Sequence, residues 1–289
     1  MQKKFALTNE TRVFDNKILY RIKALRDFAD VKAGDLGGFI ENESNLSHDG
    51  NCWVYDNALV LNSAYIYENA KVSDKAIIMG FVYGNAHICD RARVYANAHV
   101  YDNAHLSYNA WVYDDACAYG HARVYENAKI RHYSQICGQV YGNCEIYGKA
   151  FISQYAKVYD HACVYGNAHV YDYAHVSYDA TVFGYARVYG RAIVAGSAHI
   201  HSYAEVYNYA FINGRAKIYG KVYGGALVGG CAEIYGSVFG NAKVLFYTKV
   251  WGRAYGNAKL NKQSKVKLVP KNCEVYENDH IVKIVNKTE

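Results

Sequence analysis

Between residues 94 and 129 the chain reads VYANAHVYDNAHLSYNAWVYDDACAYGHARVYENAK, with an apolar position recurring at every sixth residue. Taking Val94 as position one, the same place is filled by Val100, Leu106, Val112, Ala118 and Val124. Position five is Ala98, Ala104, Ala110, Ala116, Ala122 and Ala128. Position two is mostly Tyr, position three is usually Gly or Asp, and position four is often Asn. Side chains alternate along a strand, so the Ala and the branched residue two places on face inward together. The residue between them and the Tyr face outward. Each hexad therefore predicts a short strand, A-x-V-Y, followed by a two-residue corner where Gly, Asp and Asn tolerate positive φ.

The frame runs from Val54 to about Lys265 without a loop insertion. It shortens to four residues at 78–81, 136–139, 218–221, 234–237 and 250–253. Losing two residues keeps the in/out alternation, so each is a shortened side rather than a break. The pattern resembles the hexapeptide repeat of left-handed parallel β-helices, which have three sides and about 18 residues per turn. That resemblance implies an all-β solenoid of about twelve triangular coils, and the left hand comes from it alone, because the ordinary crossover preference is the opposite.

Taking every third side sorts the outward positions into columns. One column holds Tyr67, Tyr83, Tyr101 and Tyr119, then Tyr171, Tyr189, Tyr207, Tyr223, Phe239 and Tyr255. A second holds Tyr95, Tyr113, Tyr147, Tyr165, Phe183, Tyr219, Tyr235 and Trp251. The third is read as small or polar: Ser73, Cys89, Ser107, Ser177, Ala195, Asn213 and Gly229. Stacked aromatics on adjacent rungs are expected to stabilise the surface by about 0.5–1.5 kcal/mol per pair.

Residues 1–50 leave the hexad and predict a β cap, with KFALT, TRVF and KILYRIKAL as strands and AGDLGG as a turn. Residues 51–265 are the solenoid, and 266–289, with KVKLVPKNCEVY and HIVKIV, predict a second β cap. The stretch ALRDFADVKAGDLGGFIENESNLSHDGNCWVYDNA, from Ala24 to Ala58, resembles the entry segment of enterobacterial YdcK-type proteins and their prophage-encoded relatives. The resemblance implies an oligomeric left-handed β-helix with a nominal acyltransferase label. The relatives' occurrence in prophages implies a counter-defence or host-takeover role. No catalytic residue carries over with it.

Bulk composition narrows the picture only slightly. The net charge of +6 is fully accounted for between Asn241 and Glu289, where 10 Lys and Arg face 4 Asp and Glu (10 − 4 = 6). This reads as a solvated basic end. No apolar run reaches the length of a membrane span or a secretory core. Eight cysteines occur without a C-x-x-C pair, so zinc chemistry has no signature and free thiols in a reducing cytoplasm are expected.

Candidate chemistry concentrates on the third face. His87 and His105 stand one coil apart, with Lys71 below, Arg123 above, and Cys89 and Ser107 alongside. This strip is the candidate anion site, and under an enzymatic reading its histidines would be the bases. No Asp or Glu is expected in it, and no projecting loop to wall a substrate. Tyr83, Tyr101, Tyr119, Tyr171, Tyr189 and Tyr207 form a candidate stacking ladder. A nucleic-acid polymer suits it less well than a small nucleotide, because the rungs are only about 4.8 Å apart. Late in the chain Ile193, Phe211, Leu227 and Leu245 form an apolar strip, expected to be the contact of a homo-oligomer, favoured as a trimer. The earlier strip of Leu59, Leu61, Ile77 and Met79 is expected to lie under the N-terminal cap.

The leading expectation is thus a non-catalytic cytoplasmic binding protein that engages a host protein or sequesters a nucleotide signal, with no cofactor, metal or membrane association. The alternatives are an acyltransferase using acyl-CoA and a purely structural rod.

Overall fold

The computed structural model describes residues 3–284. It is all-β, apart from a single 3-10 turn at Glu43–Asn45, and forms a parallel β-solenoid. The chain divides into two compact units, Met1–Asn143 and Cys144–Glu289. In each unit the strands fall into three parallel ladders, one per side of the coil.

The predicted register holds throughout. His99–Val100 pairs with Phe81–Val82 on one side and Cys117–Ala118 on the other. Val100, Val112, Val124, Val164 and Val188 are fully enclosed with Ala116 and Ala168, and Ala104 is nearly so. An Ala116→Leu substitution is expected to overpack the corner at about 1–3 kcal/mol, read as a lowered urea midpoint at unchanged slope.

The corners explain the rest of the hexad. Position three takes positive φ, not only at Gly84 and Asp102 but also at Ala96, Tyr108, Glu126 and His132. An Asp there does more than tolerate the turn, because its carboxylate accepts the corner N–H of the next coil. Asp102 Oδ2 receives Gly120 N at 3.0 Å and Asp114 Oδ2 receives His132 N at 3.1 Å. Position-four Asn side chains form an amide ladder, Asn51 to Asn69 to Asn85 to Asn103, at 3.2–3.3 Å. Hydrogen bonds that repeat from coil to coil select Asp-Asn over other corner pairs.

The caps depart from the predicted boundaries by joining the ladders. In the N-terminal cap, β1 (Phe5–Phe14) and β2 (Lys17–Ala24) form an antiparallel hairpin, and β2 pairs with β3 (Leu36–Ile40). β3 then runs parallel to Leu59–Val60 as a solenoid rung. At the far end Leu268–Val269 adds a rung to Lys249–Val250. The solenoid therefore has about 13 turns rather than twelve. Cys273–Asn278 and Ile281–Lys283 close the end as an antiparallel pair; Val285, the last residue of the HIVKIV stretch, lies outside the described residues.

The cap covers the early apolar strip as expected: Leu59, Leu61 and Ile77 share one buried cluster with Leu19 and Phe39, with Phe14 and Met79 packed against it. The eight cysteines form no disulfide among the described residues. No described helix is long and apolar enough to cross a membrane.

Candidate functional site

The structure brings the histidine strip together. Lys71, His87, His105 and Arg123 are consecutive register partners on one ladder. The two imidazoles meet edge to face at 5.1 Å, and Cys89 Sγ lies 3.7 Å from His105 Nε2. Ser107 is buried beside them.

The strip's electrostatics differ from the expectation of a cationic site. Lys71 Nζ is held at 2.9 Å by Asp30 Oδ1, a carboxylate of the cap that also accepts the Tyr55 hydroxyl at 3.0 Å. An acid therefore does share the strip, supplied from 41 residues away, and it occupies the lysine. Burial, and then the Lys71 charge, lowers the His87 pKa. Burial, then His87 and Arg123, lowers that of His105. Both shifts favour the neutral imidazole. Burial and then the Asp90 carboxylate push the Cys89 thiol up to about 11, so it is no thiolate nucleophile. Among the described residues Arg123 has no acidic partner.

The first tyrosine column stacks as two runs in which the interior ring faces are covered. Tyr67, Tyr83, Tyr101 and Tyr119 stack at 4.7, 4.9 and 5.3 Å, within 9° of parallel. In the second unit Tyr171, Tyr189, Tyr207, Tyr223, Phe239 and Tyr255 stack at 4.8–5.0 Å. Each interior ring has both faces taken by its neighbours, so a planar ligand has no slot inside either run. The third face is not uniformly small, because Tyr125 and Tyr141 stack on it at 4.7 Å and Tyr159 meets His175 edge-on. The late strip is contiguous: Ile193 pairs with Phe211 and Phe211 with Leu227, before Lys243 ends the run.

A feature missed at the sequence level lies in the first unit. Three adjoining grooves of about 480, 190 and 330 Å³ follow a solenoid corner and the face beside it. Arg91 lines all three, Lys75 two, and the cap hairpin closes one side with Arg12 and Phe14. A projecting element therefore does wall part of the solenoid. The sequence signal was R-A-R-V at Arg91–Val94, hidden because its partners come from β1 and from other coils. Among the described residues no cluster of His, Cys, Asp and Glu could hold a metal ion.

Comparison with known proteins agrees with this repeat architecture. The YdcK Beta solenoid repeat family matches residues 186–202. A curated relative, the "Uncharacterized acetyltransferase YdcK" of Escherichia coli (strain K12), is 35% identical over 95 residues. That match covers 30% of this chain and 29% of the relative.

Proposed function

We propose that this YdcK-type β-solenoid protein is a non-catalytic, cytoplasmic binding protein of the phage and prophage kind, working as a homo-oligomer that holds a small nucleotide signal. The observation that carries the reading is the run of tight corners in each unit: among the described residues no solenoid loop longer than a corner is present to enclose a substrate. The half-buried His87 and His105 support it further, since neither has a carboxylate hydrogen-bonded to set its tautomer. The second reading is an acyltransferase, after the name that the curated relative carries. A thermal-shift panel separates the two. Stabilisation by nucleoside diphosphates or cyclic dinucleotides, without acetyl transfer, supports the binding reading. Stabilisation by acetyl-CoA together with acetyl transfer to an amine or sugar overturns it.

The oligomer contact in this reading is the late strip. Ile193 is 38% exposed, and Phe211 and Leu227 continue it across successive coils, with Leu245 beside the buried Gly229. An apolar strip of this kind is normally covered, at about 25 cal/mol per Å2 of buried area. Around a three-fold axis it meets the neighbouring copy. Phe211→Asp is expected to dissociate the trimer in sedimentation velocity while the far-UV circular dichroism stays unchanged. A native chain that sediments as a monomer contradicts the expectation.

A further inference from the structure

We infer that the nucleotide site is the basic trough in the first unit, where Arg12, Lys75, Arg91 and Arg93 converge beside Trp111, rather than the histidine strip. The inference rests on the nucleotide-binding reading above and supplies its address and ligand class: a small nucleotide with at least two phosphate groups.

The charge pattern comes first. Arg12, Lys75, Arg91 and Arg93 line one groove, and none is in an ion pair among the described residues. Other basic residues of this unit are paired instead: in the cap Lys17 is bound to Glu41 at 2.8 Å and Arg21 to Glu10 at 3.0 Å, and in the solenoid Lys71 is bound to Asp30 at 2.9 Å. These four cations gather around a groove whose lining holds no carboxylate, while three aspartates stand in the adjoining groove that Lys75 and Arg91 share, so a polyanion is drawn to the carboxylate-free side. Arginine forks and a lysine suit phosphate oxygens, and two or more phosphates are needed to match this charge.

The flanking walls restrict the class further. On the face beside the cations, the Arg93 guanidinium lies 4.8 Å over the Trp111 ring, and both line the next groove. This planar platform can extend a stack onto a nucleobase. Around the corner, Asp56, Asp74 and Asp90 line the largest groove. Each commits one oxygen to a corner N–H of the next coil, at 3.1, 3.2 and 2.9 Å respectively. These bonds fix the carboxylates in place as acceptors. They repel phosphate and accept sugar hydroxyls, so the ligand is oriented with its phosphates on the arginine side. The groove volume of about 480 Å³ is that of a small-molecule site. The histidine strip has the opposite character: its lysine is occupied by Asp30, and among the described residues only Arg123 in it lacks an acidic partner.

The test is isothermal titration calorimetry on the full chain at low salt with ADP, GDP, UDP and cyclic di-GMP, and with adenosine and pyrophosphate as fragments. At least one of the four nucleotides is expected to bind, and either fragment to bind at least about tenfold more weakly. Arg91→Ala combined with Arg93→Ala is expected to weaken binding by about tenfold or more, as loss of charge-assisted hydrogen bonds implies. The melting temperature should change little, because Arg91 is exposed and Arg93 is an outward-facing, half-buried side chain whose loss leaves the core untouched. His105→Ala should bind as the parent does. If a nucleotide binds equally to the double variant and fails with His105→Ala, the site inference is overturned while the nucleotide reading survives. If no nucleotide binds at about 1 mM, or only a single-stranded oligonucleotide does, the small-nucleotide reading falls together with its site.

Discussion

Gly236→Ala is expected to destabilise the second unit by about 3 kcal/mol or more, the upper end of overpacking effects. The four-residue sides place a glycine directly against the next coil: a Cβ at Gly236 would collide with the backbone carbonyls of Trp251 and Gly252, and one at Gly220 with those of Tyr235 and Gly236. No positive φ is involved, so the constraint is space alone. The backbone cannot yield cheaply, because Gly236 N and Tyr235 N both donate to Val250 O, at 3.0 and 2.8 Å, and Ser237 N donates to Gly252 O at 3.0 Å. Tyr235 and Trp251 stack there at 3.9 Å. Opening the coils to admit one methyl group would strain this ladder and that stack together. Gly225→Ala is the control, since its Cβ meets only Asn241 Oδ1 at 3.2 Å and Gly240 O at 3.5 Å. It should cost less than about 1 kcal/mol. Urea unfolding followed by circular dichroism and Trp251 fluorescence compares the two, and equal midpoints would refute the steric account.

These glycines show where the sequence was informative. The Ile-x-Gly-x and Val-x-Gly-x sides were visible as shortened hexads, because deleting two residues keeps Ile234 and Val238 facing inward. The core register was legible for the same reason: a period-two strand inside a six-residue repeat fixes which side of Ala116 or Val124 is buried. What could not be read was any contact made by a residue outside the repeat. Asp30 reaches Lys71 only because the β2–β3 connection passes over the histidine ladder, and Arg12 joins Arg91 and Arg93 only because the β1–β2 hairpin returns along another face. Neither the direction nor the register of that return has a periodic signature. The histidine strip was found because all its members share the hexad. The trough was missed because its cations come from corner, face and cap positions at once.

Lys4→Ala is expected to detach the N-terminal cap, with a loss of about 3–5 kcal/mol in the stability of that region. Lys4 is fully enclosed, and its ammonium donates to Cys52 O at 2.9 Å, Asp49 O at 3.2 Å and Gly50 O at 3.4 Å, with Cys52 Sγ at 3.2 Å and the Phe28 ring at 5.1 Å. Burial lowers the pKa of the lysine and raises that of the Cys52 thiol, and the proximity of the two groups opposes both shifts. Removing the side chain strands several carbonyls and leaves a void next to Phe5 and Trp53, which are themselves buried edge to face at 6.3 Å. Lys4→Met tests the polar share separately, because it keeps most of the apolar stem while removing every donor. It should still cost about 1–3 kcal/mol. Trp53, Trp111 and Trp251 sit in different parts of the chain, so a background carrying Trp111→Phe and Trp251→Phe makes Trp53 the reporter of the cap. In that background, the Trp53 transition should move to lower urea than the circular dichroism transition, as expected when a terminal element of a solenoid melts before its coils. If Lys4→Ala leaves the Trp53 midpoint where it stands in the parent, the lysine is not what fastens the cap.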